Sequence, residues 1–376
     1  MTRSALDGLT VVDFSRVLAG PYATMLLGDL GARVIKIERP GLGDETREWA
    51  PPVDDTGTST YFASVNRNKE GMTADLADDA DRVRIWELLE QADVVVENFR
   101  TGTLDRLGFG YDEVRARNPR IVYCSITGFG AGEGATLPGF DLLVQAAGGL
   151  MSITGQSPGE PTKTGVAIVD VVTGLHAITG ILAAVIARQS TGTGQRVEVN
   201  LLSSLLSGLV NQAGAFAGAG VVPRSMGNEH PSIAPYEVYP TADRSLAVAV
   251  GSDKQFRAFA TALDAPELAA DQRFRTNRDR VSHRAKLNPL LIARLSTRTA
   301  DDWFAILTRH DVPAAPINSI GEAFELAARL GLEPIVDVDG SHQVANPIRL
   351  SETPATYRLP PPALANHSSA PNEGTS

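Results

Sequence analysis

Short apolar runs alternate with amphipathic stretches along the N-terminal third of the chain. Leu9–Phe14, Arg33–Glu38, Asp93–Glu97 and Ile121–Ile126 each read as a strand. Between them, helices are predicted from Gly20-Pro21 to about Leu30, over Arg82–Gln91 and over Tyr111–Asn118. Pro21 suits an early helical position and Gly31 a stop. Strand–helix alternation of this kind predicts an α/β fold, with helices covering a parallel sheet.

Further on, Val166–Val169 reads as a short buried strand or extended lead-in, and Val171–Arg188 as an apolar helix. Asp170 then falls where an N-cap belongs. Gly192 opens a turn into the alternating strand that ends at Asn200, and Leu201–Val222 is uncharged and reads as one long apolar helix. Prolines punctuate a loop over 221–235, after which Tyr236–Val250 reads as a hairpin followed by helices over 253–262, 281–296 and 300–310. The pattern predicts a large domain over 1–222, completed by short strands within 320–358, and a smaller α+β domain over 223–319. Pro313–Ile320 reads as the return linker, and the Pro/Ser/Asn-rich stretch 359–376 as a disordered tail.

Composition narrows the function. A chain of 376 residues with 43% hydrophobic and 21% charged residues is an ordinary globular protein, large enough for two domains. Its net charge of −10 carries no basic stretch, so nucleic acid is not an expected partner. Cys124 is the sole cysteine, which excludes an internal disulfide. The start of the chain carries no secretory pattern, and a cytoplasmic location is expected. No membrane partner is expected either. The helix after Asp170 reaches Arg188 too soon to span a bilayer, and Leu201–Val222 holds serines, Asn211, Gln212 and several glycines.

Candidate chemistry sits past the strand ends, where ligands of parallel sheets bind. Ser15-Arg16-Val17, Arg39, Asn98-Phe99-Arg100 and Thr127-Gly128-Phe129 offer guanidiniums for phosphates and an aromatic face for a base or thioester arm. The segment after the first strand lacks Gly-x-Gly-x-x-Gly, and no Walker-type loop or Gly-x-Ser-x-Gly elbow occurs. His residues lack ligand spacing, so no metal site is predicted. Asp170 has two readings: a cap on a buried helix, or a carboxylate held beside helix-start N–H groups able to bind an oxyanion.

Several collinear segments then converge. Asp13-Phe-Ser-Arg-Val-Leu-Ala-Gly-Pro21, Val34-Ile-Lys-Ile-Glu-Arg-Pro-Gly41, Val96-Glu-Asn-Phe-Arg100, Leu104-Asp-Arg-Leu-Gly108, Ser125-Ile-Thr-Gly-Phe-Gly130, Pro138-Gly-Phe-Asp141, Gly192-Thr-Gly-Gln195 and Gly251-Ser-Asp-Lys-Gln-Phe256 together resemble family III CoA-transferases over nearly the whole chain. That resemblance implies a Rossmann-like large domain, a small inserted domain and two chains interlocked as a homodimer. It implies an acyl-CoA and a small carboxylic acid as substrates, with coenzyme A passing through as substrate rather than as a resident cofactor. It also implies that Asp170 attacks the thioester, that Arg16, Val17, Leu18, Ala19, Arg39, Asn98, Phe99, Arg106 and Leu107 contact CoA, and that Phe140 and Asp141 adjoin the acyl group.

The chemistry is self-consistent. A carboxylate with an ordinary pKa of about 3.9 is ionised at neutral pH, and a thioester is activated enough for it to attack. Two alternatives stand beside transfer. The racemase branch needs an acid and a base flanking the α-carbon, but this chain has Phe140 where that branch has His, with a further acid expected near Asp253. The other alternative is a CoA-binding protein without catalysis.

Overall fold

The computed structural model describes residues 4–156 and 159–364. Six strands form one parallel sheet in the order β3-β2-β1-β4-β5-β6. They are β1 Thr10–Asp13, β2 Arg33–Glu38, β3 Lys69–Thr73, β4 Val94–Glu97, β5 Val122–Thr127 and β6 Arg196–Asn200. Successive residues of each strand feed opposite layers, as the two-residue side-chain period requires. Val11, Val34, Val94, Val96 and Val122 pack on one face, under helices α1 (Ala19–Asp29) and α5 (Ile168–Thr191). Val12, Ile35, Val95 and Tyr123 pack on the other, against Ile85 and Leu89 of α2 (Asp79–Gln91) and Val114 of α3 (Tyr111–Arg117). The strand order reverses between β1 and β4, so the loops after those two strands open a crevice where doubly wound sheets bind ligands.

Helix α4 (Asp141–Ala147) precedes α5, and the apolar stretch after β6 is two helices, α6 (Leu201–Gly208) and α7 (Val210–Ala219), rather than one. The break falls where Val210 takes a left-handed φ of 40°. Helix α5 has 24 residues and is long and apolar enough to cross a membrane, contrary to the expectation that Arg188 ends it too soon. Here Val169, Ala177, Ile181 and Ala184 join the core, and Arg188 points inward to an ion pair with Asp93 at 2.8 Å.

Within the described residues the chain divides into two compact units. One lies within Met1–Leu150, Lys163–Val222 and Glu333–Ser376, the other within Met151–Thr162 and Pro223–Leu332. The stretches 151–162 and 320–332, expected in the large domain, therefore belong to the small unit. That unit has an antiparallel sheet of β7 (Tyr236–Pro240), β8 (Ser245–Ala249) and β9 (Ala314–Pro316). Strand β9 lies in the stretch expected to be a linker; Ala314 and Ala315 find backbone partners in β8. The sheet shares a core with Phe256, Phe259, Leu287, Leu291 and Trp303.

The large unit closes with the hairpin β10 (Ile335–Val338) and β11 (Ser341–Val344). Buried Arg67 binds both oxygens of Asp29 at 2.9 and 2.7 Å and the Val344 carbonyl at 2.9 Å, tying the returning chain to α1. The predicted disordered tail starts too early. Leu359 O accepts from Asn68 N–H at 2.8 Å, and the Pro362 carbonyl accepts from Arg47 at 2.9 Å. The remainder of that predicted tail, 365–376, lies outside the described residues.

Candidate active site

Two cavities open at the carboxyl ends of β1 and β4, with Arg16 and Phe99 lining both. The Arg16 guanidinium stacks 4.8 Å from the Phe99 ring centre and meets Glu45 at 2.5 Å. The two loops are stitched together because the Asn98 side chain accepts from Arg16 N–H at 2.8 Å and donates to the Arg16 carbonyl at 2.7 Å. An amide satisfying both backbone groups of its neighbour fixes the crevice where the sheet topology demands one.

The first cavity, about 320 Å³, brings together Arg16, Val17, Leu18, Ala19, Asn98, Phe99, Phe140, Asp141 and Asp170. Its wall includes Gly128 and Gly139, whose backbones approach so closely that a Cβ on Gly128 would lie 2.4 Å from the Gly139 Cα. Among the described residues, Arg16 and Arg100 are its only basic lining residues. The second cavity, about 620 Å³, holds Arg39 together with Leu42, Trp49, Ala74 and Leu76. Arg106 and Leu107 line neither. Arg106 closes the short turn Thr103–Arg106 and donates to Thr103 Oγ1 at 3.2 Å, while Leu107 packs against the layer containing Phe109.

Asp170 is not an N-cap. Helix α5 begins two residues earlier, with Ala167 at the cap, so the predicted strand 166–169 is instead a bend, the cap and the first two residues of the helix. The capping carboxylate is Asp141, whose Oδ1 accepts from Val169 N–H at 2.8 Å and Asp170 N–H at 3.4 Å. Gln145 holds Asp141 from the other side at 2.5 Å and also accepts from Thr164 N–H at 2.9 Å. The two remaining helix-start donors are engaged as well, Ile168 N–H with Val166 O and Val171 N–H with Ala167 O. These groups are therefore not free to receive an oxyanion, contrary to the expectation from the sequence.

Burial pushes the Asp170 carboxyl up to about 7, and the nearby Asp141 carboxylate adds to the effect. Asp170 is thus only partly ionised at neutral pH in the free protein, unlike an ordinary carboxylate. Sequence reasoning also missed Tyr61, whose hydroxyl is raised to about 12, first by burial and then by Asp170, Asp141 and Asp44. Trp49 meets its ring edge-on at 4.9 Å. Tyr61 lies in a stretch with no periodicity, and only its shared field with Asp170 exposes it. Among the described residues, no group of three or more His, Cys, Asp or Glu could hold a metal ion.

The family model described as CoA-transferase family III matches residues 6–368. The chain belongs to the family III CoA-transferases. Family members of similar sequence include the succinate–glutarate CoA-transferase of Agrobacterium fabrum, 40% identical over 96% of this chain and 93% of that one. The acetyl-CoA:oxalate CoA-transferase of Acetobacter aceti is 38% identical over 93% and 90%. A crystal structure of a CAIB/BAIF family protein from Brucella suis superposes with a TM-score of 0.88 at 40% identity, covering 97% of both chains. This family III CoA-transferase is therefore an enzyme acting on CoA thioesters and carboxylates. Its α/β fold with a parallel sheet is the one expected.

The structure also bears on racemisation. Phe140, 60% exposed, supplies no acid or base, and Asp253 is ion-paired with fully buried Arg280 at 2.8 Å within the small unit.

Proposed function

We propose that the enzyme moves CoA from an acyl-CoA donor to a small dicarboxylic acid, with Asp170 as the covalent nucleophile. The observation that carries this reading is Asp170 itself: a largely buried carboxylate lining the same cavity as Arg16, Asn98 and Phe99. The dicarboxylate follows from the relatives' substrates, named as glutarate, oxalate, mesaconate and citramalate. Arg100, and Arg16 in exchange for its Glu45 contact, are the cavity's countercharges for the acid's carboxylate or the phosphates of CoA.

An Asp170 oxygen attacks the thioester carbonyl carbon. The carbon–sulfur bond breaks, leaving an aspartyl–acyl anhydride and CoA thiolate. The thiolate attacks the aspartyl carbonyl, expelling the donor acid as carboxylate and leaving an Asp170–CoA thioester. The acceptor carboxylate attacks that thioester, releasing thiolate and forming a second anhydride. Thiolate attack on the acceptor carbonyl then yields the new acyl-CoA and restores Asp170. No net proton is consumed. Partial protonation of Asp170 in the free enzyme makes deprotonation a condition of the first step. With the α5 N–H groups committed, the tetrahedral oxyanion has to be met by other donors lining the cavity.

A homodimer of two interlocked chains completes the proposal. Its support is the apolar surface left on α5, α6 and α7, where Ile186, Leu206, Val210 and Phe216 are exposed.

The test is a matrix of acyl-CoA donors and free acids assayed for exchange, run also in deuterated water. CoA transfer to a dicarboxylate without α-proton exchange is the expected outcome. Exchange at the α-carbon without transfer would establish a racemase, and binding without either would establish a non-catalytic protein.

A further inference from the structure

The loop Ser15–Val17 runs between the two cavities, and its backbone carries a departure from ordinary geometry. Val17 has φ of 68°, the left-handed region that a β-branched residue enters only under constraint. One clamp is Asn98, described above. The other is Asp44. Its two oxygens accept from Val17 N–H at 3.3 and 3.2 Å, and one of them also receives Lys36 Nζ at 2.9 Å. Thr46 adds its N–H at 3.0 Å and its hydroxyl at 2.8 Å. Lys36 Nζ reaches back to the Ser15 carbonyl at 2.9 Å, so the pair grips the loop on both sides of Arg16. Neither side chain has any exposed surface.

We propose that Asp44, braced by Lys36, is a positioning residue for acyl-CoA binding. It holds Val17 in the left-handed region and so keeps Arg16 at the junction of the cavities, stacked on Phe99. Without that acceptor, Val17 relaxes to negative φ and turns the adjoining peptide away from Asn98. The inference rests on the reading that the first loop binds acyl-CoA.

The experiment compares Asp44→Ala with the double variant Lys36→Met/Asp44→Ala. The double variant removes both buried charges and carries the test where the single one fails to fold. Each is expected to raise KM for acyl-CoA about tenfold while changing kcat less than about threefold. Adding Val17→Gly to Asp44→Ala is expected to recover most of the lost KM, because glycine occupies left-handed φ without penalty. A fall in kcat at unchanged KM, or effects of Val17→Gly and Asp44→Ala that simply add, would overturn the proposal. Absence of acyl-CoA binding to the unaltered protein by calorimetry would overturn the underlying reading instead.

Discussion

Asp44 is buried and Asp170 half-buried at the same end of the sheet, and their environments act in opposite directions. At Asp44 burial works against the charge, but the Lys36 ammonium and the Thr46 hydrogen bonds outweigh it and hold the carboxyl below its usual range. At Asp170 burial is compounded by a second carboxylate, Asp141, and the group rises to about 7. Burial pushes both upward; the sign of the neighbour decides the rest. A buried carboxylate matched to a cation is a strut. One set beside another carboxylate keeps a costly charge, which covalent bonding to an acyl group would discharge.

The comparison breaks most visibly at the reactive member. Asp170→Ala is expected to lower kcat for CoA transfer at least about a thousandfold, checked by steady-state exchange, because no other group supplies the covalent route. Asp44→Asn should act on stability instead, costing about 3–5 kcal/mol in denaturant unfolding by leaving buried Lys36 without its paired carboxylate. Removing both charges in Lys36→Met/Asp44→Asn should restore most of that loss.

Asp141→Asn sharpens the contrast. Deleting the second carboxylate lowers the Asp170 pKa, so the acid limb of kcat/KM, expected near pH 7 in the unaltered enzyme, should move to lower pH. The smallest effect is on stability against pH. Between the ordinary carboxylate value near 4 and about 7, folded Asp170 keeps a proton that the unfolded chain releases, so stability falls as pH rises through that window. Asp170→Asn should therefore melt above the unaltered protein beyond pH 7, with the gap closing below about pH 4. Asp44 has the reverse sign: its contribution is present above its unfolded pKa and is lost as pH falls through its depressed folded value.

Much of this organisation was legible in the sequence. Val/Ile runs alternating with amphipathic segments carried the parallel sheet, and strand ends located Arg16, Asn98 and Phe99. Strand β3 was not legible: Lys69-Glu-Gly-Met-Thr73 has no apolar alternation, and buried Lys69 is satisfied by Asp13 at 3.1 Å, the Pro21 carbonyl at 3.0 Å and Asn66 at 2.9 Å. Nor was the true cap of α5, since Asp141 lies 29 residues before Asp170 and is brought there by tertiary folding. Burial first, and then the same long-range neighbour, lift the Asp170 pKa above the value its side-chain type implies. Side-chain type sets the reference value, and the fold sets the neighbour. The apolar run after β6 misled for a different reason: uncharged composition suggests helix but does not show the backbone break at Val210.

One measurement tests the central claim most directly. The protein is incubated with acyl-CoA and no acceptor acid, then digested and its peptides weighed. The account predicts that the peptide containing Asp170 gains one CoA less one water, that hydroxylamine removes it, and that Asp170→Ala neither acquires it nor transfers CoA. Transfer persisting undiminished in Asp170→Ala, or an adduct on another residue, would contradict it.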